Sequence, residues 1–176
     1  MIDPDDSLRA YLVLVAFARL KLPDGESTMP TNAAHATALA RRLASEVGLP
    51  PGVDVETTAT VLRELGEAVR PAGVGRGLGV GGQGVAFVVR PKSGPECVLK
   101  VLDPRNGIDE TKARGEIARA RVISARLSAS SAHTALVTRP TELNATFGPD
   151  CTVRLLGVEL QGQAFTFGGH DAITDH

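Results

Sequence analysis

Leu78-Gly79-Val80-Gly81-Gly82-Gln83-Gly84-Val85-Ala86-Phe87-Val88-Val89 is a glycine-rich turn running straight into a β-branched segment, with Val98-Leu99-Lys100-Val101-Leu102 a short distance beyond. Glycine has no Cβ, so backbone N–H groups in such a turn can close on anionic oxygens. The spacing Gly79-x-Gly81-x-x-Gly84 formally fits a dinucleotide fingerprint. That fingerprint, however, opens a helix whose N-terminus holds the pyrophosphate. Here the turn feeds Val85-Ala86-Phe87-Val88-Val89, which favours strand. The turn therefore joins two strands. In a chain with 19 glycines, the motif taken alone fits a flexible glycine-rich hairpin equally well.

The neighbouring residues add chemistry. Lys100 interrupts an apolar strand, where burying an ammonium is costly unless an anion or carboxylate pairs with it. Glu116, sixteen residues later on an expected helix, is one candidate partner. A plain salt bridge from Lys100 to Glu116 or Glu110 is the structural alternative to a ligand role.

Outward from this stretch, residues 1–70 read as a helical module. Asp6 or Ser7 is placed to cap a first helix carrying Leu8, Leu12, Val15 and Leu20, which ends before Pro23-Asp24-Gly25. Thr31 or Asn32 is placed to cap a second, with Leu39, Leu43 and Val47 at helical spacing and Gly48 as its stop. A third starts near Asp54 with Val55, Ala59, Leu62 and Leu65 on one stripe and ends around Val69. Past Pro71 the texture turns from Ala/Leu-rich to Gly/Val-rich, which places a domain boundary there and a second domain over 71–168, with 169–176 as a polar tail.

In that second part, 85–90 and 97–102 read as strands joined by Pro91-Lys92-Ser93-Gly94-Pro95. Residues 109–127 read as a helix with Ile117, Ala120, Ile123 and Leu127 inward. Residues 136–138 and 151–159 read as further strands, with the turn at 144–150. The expected class is α+β: a helical module, then a five-stranded antiparallel sheet with one packed helix.

In these residues the chain resembles the amino-terminal lobe of the Ser/Thr protein-kinase family, whose pattern is a glycine loop, a strand lysine and a helix glutamate. The resemblance spans residues 73–162. It also takes in Asp103-Pro104 after the lysine strand, Gly115-Glu116-Ile117, and Val158-Glu159-Leu160 as gatekeeper and hinge. It implies binding of ATP or ADP, with or without Mg²⁺. N–H groups of Gly81, Gly82 and Gly84 would cover the phosphates, Lys100 would contact them, and Glu116 would orient Lys100. Leu78, Gly79 and Val85 would flank the nucleotide, with Glu159, Leu160 and Gln161 along the adenine edge. Two departures stand out: Gln83 replaces the usual loop-tip aromatic, and Ala86 replaces the valine that packs on the base.

Phosphoryl transfer in that family also requires H-R-D-x-x-x-x-N and D-F-G segments, which supply the base and the Mg²⁺ ligands, and neither occurs here. His170-Asp171 stands near the end of the chain with no room for a substrate-holding lobe. The resemblance thus implies a nucleotide-binding module without phosphotransferase activity of its own. The alternatives are a pseudokinase-type regulatory module that binds no nucleotide, and the small lobe of a split or truncated kinase. An exposed lobe face further implies a protein partner or self-association.

A weaker resemblance lies in the helices. His35-x-x-x-Leu39-Ala40-x-x-Leu43 is similar to the first histidine helix of HD-GYP-type phosphodiesterases. Their later Leu-His-Asp-x-Gly is represented here by Leu62-Arg63-Glu64-Leu65-Gly66, and arginine offers only donors, so no dinuclear metal site is expected.

Composition excludes other classes. A net charge of −1 and 3% aromatics with no Trp argue against nucleic-acid binding. Ten Lys/Arg against five Asp/Glu between Arg90 and Arg139 fit a solvated helix face at Arg119, Arg121 and Arg126, and His133 nearby is given a structural role. The longest apolar run, Ala10–Ala18, is about half the ~20 residues of a membrane span, so no membrane role is expected. Cys97 and Cys151, far apart and outside any C-x-x-C spacing, read as reduced thiols of a cytoplasmic protein.

Overall fold

The computed structural model describes residues 4–23, 28, 30–70, 73–90, 97–106, 115, 118, 119, 122, 126, 138–140, 152–156 and 158–167. Three helices come first: α1 (Pro4–Arg19), α2 (Ala33–Glu46) and α3 (Val55–Ala68). The first begins before the expected Asp6 or Ser7 cap, with Pro4 in its opening turn, where a missing N–H costs nothing. Asn32 caps α2 by accepting the Ala34 N–H at 2.8 Å, and the Gly48 N–H closes its end on the Leu43 carbonyl. Asp54 caps α3 by accepting the Thr57 N–H at 2.7 Å, a bond that also holds its carboxyl below the usual range.

Six strands are described: β1 (Gly73–Val80), β2 (Gly84–Arg90), β3 (Cys97–Leu102), β4 (Thr138–Pro140), β5 (Thr152–Leu155) and β6 (Val158–Phe167). The fold is α+β, with β1, β2 and β3 forming an antiparallel meander in sequence order. Beyond β3 the order continues to β6 and then β4, while β5 pairs antiparallel with the start of β6. The sequence reading of five strands is corrected here: the single strand expected over 151–159 divides into β5 and the start of β6. The chain reverses at Leu156, which takes φ 53°, and its N–H donates to the Glu64 carboxylate on α3.

Gly115, Ala118, Arg119, Val122 and Arg126 are helical, with the last four exposed. This agrees with the solvated face expected there. Glu116, the inward stripe Ile117, Ala120, Ile123 and Leu127, as well as Arg121, His133, the 91–95 connection, the 144–150 turn and the 169–176 tail, lie outside the described residues.

One hydrophobic cluster joins helices and strands, running from Tyr11, Leu14 and Phe17 through Leu43, Leu62 and Leu65 to Phe87, Leu99, Leu155 and Leu160. Composition therefore changes at residue 71 while the buried surface continues across it. Each fully buried Leu or Phe is worth about 1.5–3 kcal/mol. An exposed pair such as Arg42–Glu46 is worth about 0.2–1 kcal/mol, so the apolar stripes decide the packing. Among the described residues no helix is long and apolar enough to cross a membrane.

The approach of α1 to β1 is close enough to require glycine. A Cβ on Gly77 would lie 2.2 Å from the Ala18 carbonyl oxygen, whereas one on Gly82 would meet nothing within 4 Å. Gly77→Ala is expected to lower unfolding free energy by about 1–3 kcal/mol, and Gly82→Ala to stay within about 0.5 kcal/mol of wild type. Equal midpoints for the two variants in urea would show that the α1–β1 contact does not form.

Candidate functional site

The strand register decides which side chains share a face. Across β2 and β3, Val85 pairs with Val101, Ala86 with Lys100 and Phe87 with Leu99. Side chains alternate along a strand, so Val85, Phe87, Leu99 and Val101 turn one way and are fully buried. Ala86 and Lys100 turn the other way. Lys100 is therefore not embedded in the apolar core that the sequence around it implies; it stands on the open face of the sheet and is half-buried.

The glycine turn closes over this face. Gly79 pairs with Ala86 after two irregularities in β1, and the Gly81 N–H donates to the Gly84 carbonyl at 2.9 Å. Gly84 itself sits against β3, where a Cβ would lie 2.3 Å from the Val101 carbonyl oxygen. That contact is a packing reason for glycine at this position, independent of any ligand. At the tip, the Gln83 carbonyl accepts the Asp103 N–H at 2.9 Å, and its side-chain oxygen accepts from Lys100 Nζ at 3.2 Å. The result is an open cleft of about 530 Å³ lined by residues 78–84, Ala86 and Lys100.

Of the residues singled out in the sequence, Leu78, Gly79, Gly81, Gly82, Gly84 and Lys100 meet at this cleft. Val85 does not. Its side chain lies in the core on the opposite face, because the register sets Ala86 against Lys100, so it cannot flank a ligand beside that lysine. The Gly81 N–H, expected to face phosphate, is spent inside the turn.

Leu160, expected at a hinge, is a core residue 2% exposed, in register with Val153 of β5. Glu159 and Gln161 pair in register with Arg154 and Thr152, so this stretch lies inside a continuous strand. Glu116 lies outside the described residues. The contact between Gln83 and Lys100 was not legible beforehand; its only sequence signal was a long polar side chain where the resemblance implies an aromatic.

A second cluster anchors the floor of the turn. Asp103, 7% exposed, accepts from the Arg105 backbone at 2.9 Å and from the Arg105 guanidinium at 2.8 Å. The Arg105 hydrogen bonds hold the Asp103 carboxyl below the usual carboxylate range. Burial, and secondarily the charge of Asp103, pushes the Tyr11 phenol above its ordinary value.

In the helices, His35 is exposed, with Nε2 3.4 Å from Thr28 Oγ1. Glu64, which the sequence resemblance to the phosphodiesterases sets in place of an aspartate, holds the Leu156 N–H. Among the described residues no group of three or more His, Cys, Asp or Glu is placed to hold a metal ion.

The chain matches no protein-family model, and no curated protein or solved structure matches it.

The Asp103 carboxyl is depressed in the folded state, so its stabilisation is complete above the unfolded value of about 3.9 and is lost as pH falls through the folded one. Tyr11 is raised, so its contribution is complete below about 10 and is lost at higher pH. Asp103→Asn is expected to cost about 1 kcal/mol at pH 7 and less at pH 3 in urea titrations. A loss of equal size at both pH values would show that the ion pair contributes nothing.

Proposed function

We propose that the cleft between the glycine turn and Lys100 binds the phosphates of a nucleotide, ATP or ADP, as a kinase-like binding module without phosphotransferase activity of its own. The observation that carries this reading is the cleft itself: a glycine turn folded over a sheet, with a lysine ammonium at its floor. Lys100 would hold phosphate oxygens by charge-assisted hydrogen bonds, and the backbone of residues 79–84 would wrap them. Leu78, 43% exposed, offers apolar surface to one side of the base. Likeness of the sheet to a kinase small lobe, with a packed helix bearing Glu116, belongs to the same proposal, as does a cytoplasmic location. The described lining holds no carboxylate, so Mg²⁺ would be held by the nucleotide's own phosphates.

A second reading, a regulatory or interaction module that binds no nucleotide, draws support from the engagement of the Gly81 N–H within the turn and from the exposed pair Leu78 and Val80. On that reading the same strand presents apolar surface to a protein partner or a second copy. The small lobe of a split kinase, completed by a separate chain, would use both surfaces.

Titration with a fluorescent ATP analogue separates the readings. Because one side of the base stays uncovered, wild type is expected to bind with Kd on the order of 0.1–1 mM. Lys100→Met is expected to weaken binding about tenfold or more. Absence of binding by wild type, or equal binding by Lys100→Met, would reject the nucleotide reading.

A further inference from the structure

The connection over residues 47–54 brings α3 back beside α2, and between the two helices lies a second cleft of about 410 Å³. It shares no residue with the glycine-turn cleft. Ala36 and Ala59 are buried where the helices meet, and their small side chains leave the space open. Thr37 adds a half-buried hydroxyl. Arg41 of α2 and Arg63 of α3 line the same cleft, both exposed, with Glu56 as the carboxylate of the described lining.

Other carboxylates of these helices are committed elsewhere. Glu46 accepts from Arg42 at 2.8 Å, Glu67 from Arg70 at 2.7 Å, and Glu64 from the Leu156 N–H. Glu67 stands at the i+4 position from Arg63, where a helix would pair them, yet it turns to Arg70. Among the described residues, the side chains of Arg41, Arg63 and Glu56 thus form no ion pair or hydrogen bond. Two guanidiniums from facing helices therefore share one space with a single carboxylate.

We infer that the α2–α3 cleft binds a small molecule carrying two oxyanionic groups, carboxylate or phosphoryl, one on Arg41 and one on Arg63. The inference is independent of the nucleotide reading above. Guanidinium presents a planar fork of donors that matches either oxyanion bidentately. The volume falls within the range of about 300–1,000 Å³ typical of small-ligand sites, which favours a small molecule over a protein segment. Glu56 disfavours an anion beside itself, so it keeps the two charges of the ligand at the arginines.

Nuclear magnetic resonance titration of the full chain, following the arginine Nε–H signals, tests the site with glutarate, pyrophosphate, butyrate and a hexaglutamate peptide. Glutarate or pyrophosphate is expected to shift the signals of Arg41 and Arg63, with Kd on the order of 1 mM, and to leave exposed Arg76 on β1 unmoved. Which of the two binds assigns the oxyanion. Butyrate, with one carboxylate, is expected to bind about tenfold more weakly. Arg41→Gln and Arg63→Gln are each expected to weaken binding about two- to tenfold, and Glu56→Gln to tighten it about two- to fivefold. Lys100→Met is expected to change none of this, which separates the site from the glycine-turn cleft.

No shift with either dianion, or equal shifts at Arg76, overturns the site. Equal binding of butyrate, or unchanged binding after either arginine substitution, overturns the two-point recognition. Binding of hexaglutamate through both arginines, with neither small dianion bound, overturns the small molecule in favour of an acidic protein segment.

Discussion

The rings of Phe17 on α1 and Phe87 on β2 lie with centroids 5.6 Å apart and planes 31° to one another, and through them the helices and the sheet share one core. Phe87 is two residues beyond Val85 on the inward face of β2, so turning Phe87 toward α1 turns Val85 inward as well. The same alternation sends Ala86 outward, and the register carries Lys100 with it. A packing contact on one side of the sheet thus selects which residues face the cleft on the other. Shifting β2 by one residue would move Val85 to the cleft and Ala86 into the core, and the loss of apolar burial opposes it.

Local signals in the sequence were reliable where the physics is local. The capping residues Asn32 and Asp54, the stop at Gly48 and the span of β3 follow from hydrogen-bonding capacity, backbone freedom and β-branching within a few residues. The hairpin between β5 and β6 escaped for the opposite reason. Val153-Arg154-Leu155-Leu156-Gly157-Val158 reads as one extended run, and its reversal depends on a leucine in a left-handed conformation whose N–H is held by Glu64, far away in sequence. Within the site, the residues meeting at the cleft were legible as a set. Their orientation was not, because the inward or outward turn of Val85 is fixed by α1 packing and by the register against β3.

Sequence position alone makes Lys100 look like a buried charge in need of an anion. On the open face of the sheet that need is smaller, since water and the Gln83 amide both reach the ammonium. A ligand must therefore improve on an environment that already solvates the lysine. On the nucleotide reading proposed above, charge would count for more than surface area: the cleft is open, its exposed large apolar side chains are Leu78 and Val80, and Lys100 is the charged side chain of its described lining.

That balance explains why the anchoring below the turn matters. Asp103 is nearly buried, yet its carboxylate is directed to Arg105 and its N–H to the Gln83 carbonyl, so it fixes the tip of the turn without placing negative charge among the residues lining the cleft. A carboxylate in that lining would repel phosphate directly and compete for Lys100. The Arg105 hydrogen bonds hold the Asp103 charge in place outside the described lining, and the glycine turn is pinned through the Asp103 N–H. The fold therefore separates two tasks that a single acidic residue beside the lysine could not perform together: Asp103 holds the turn, and the described lining around Lys100 carries no carboxylate.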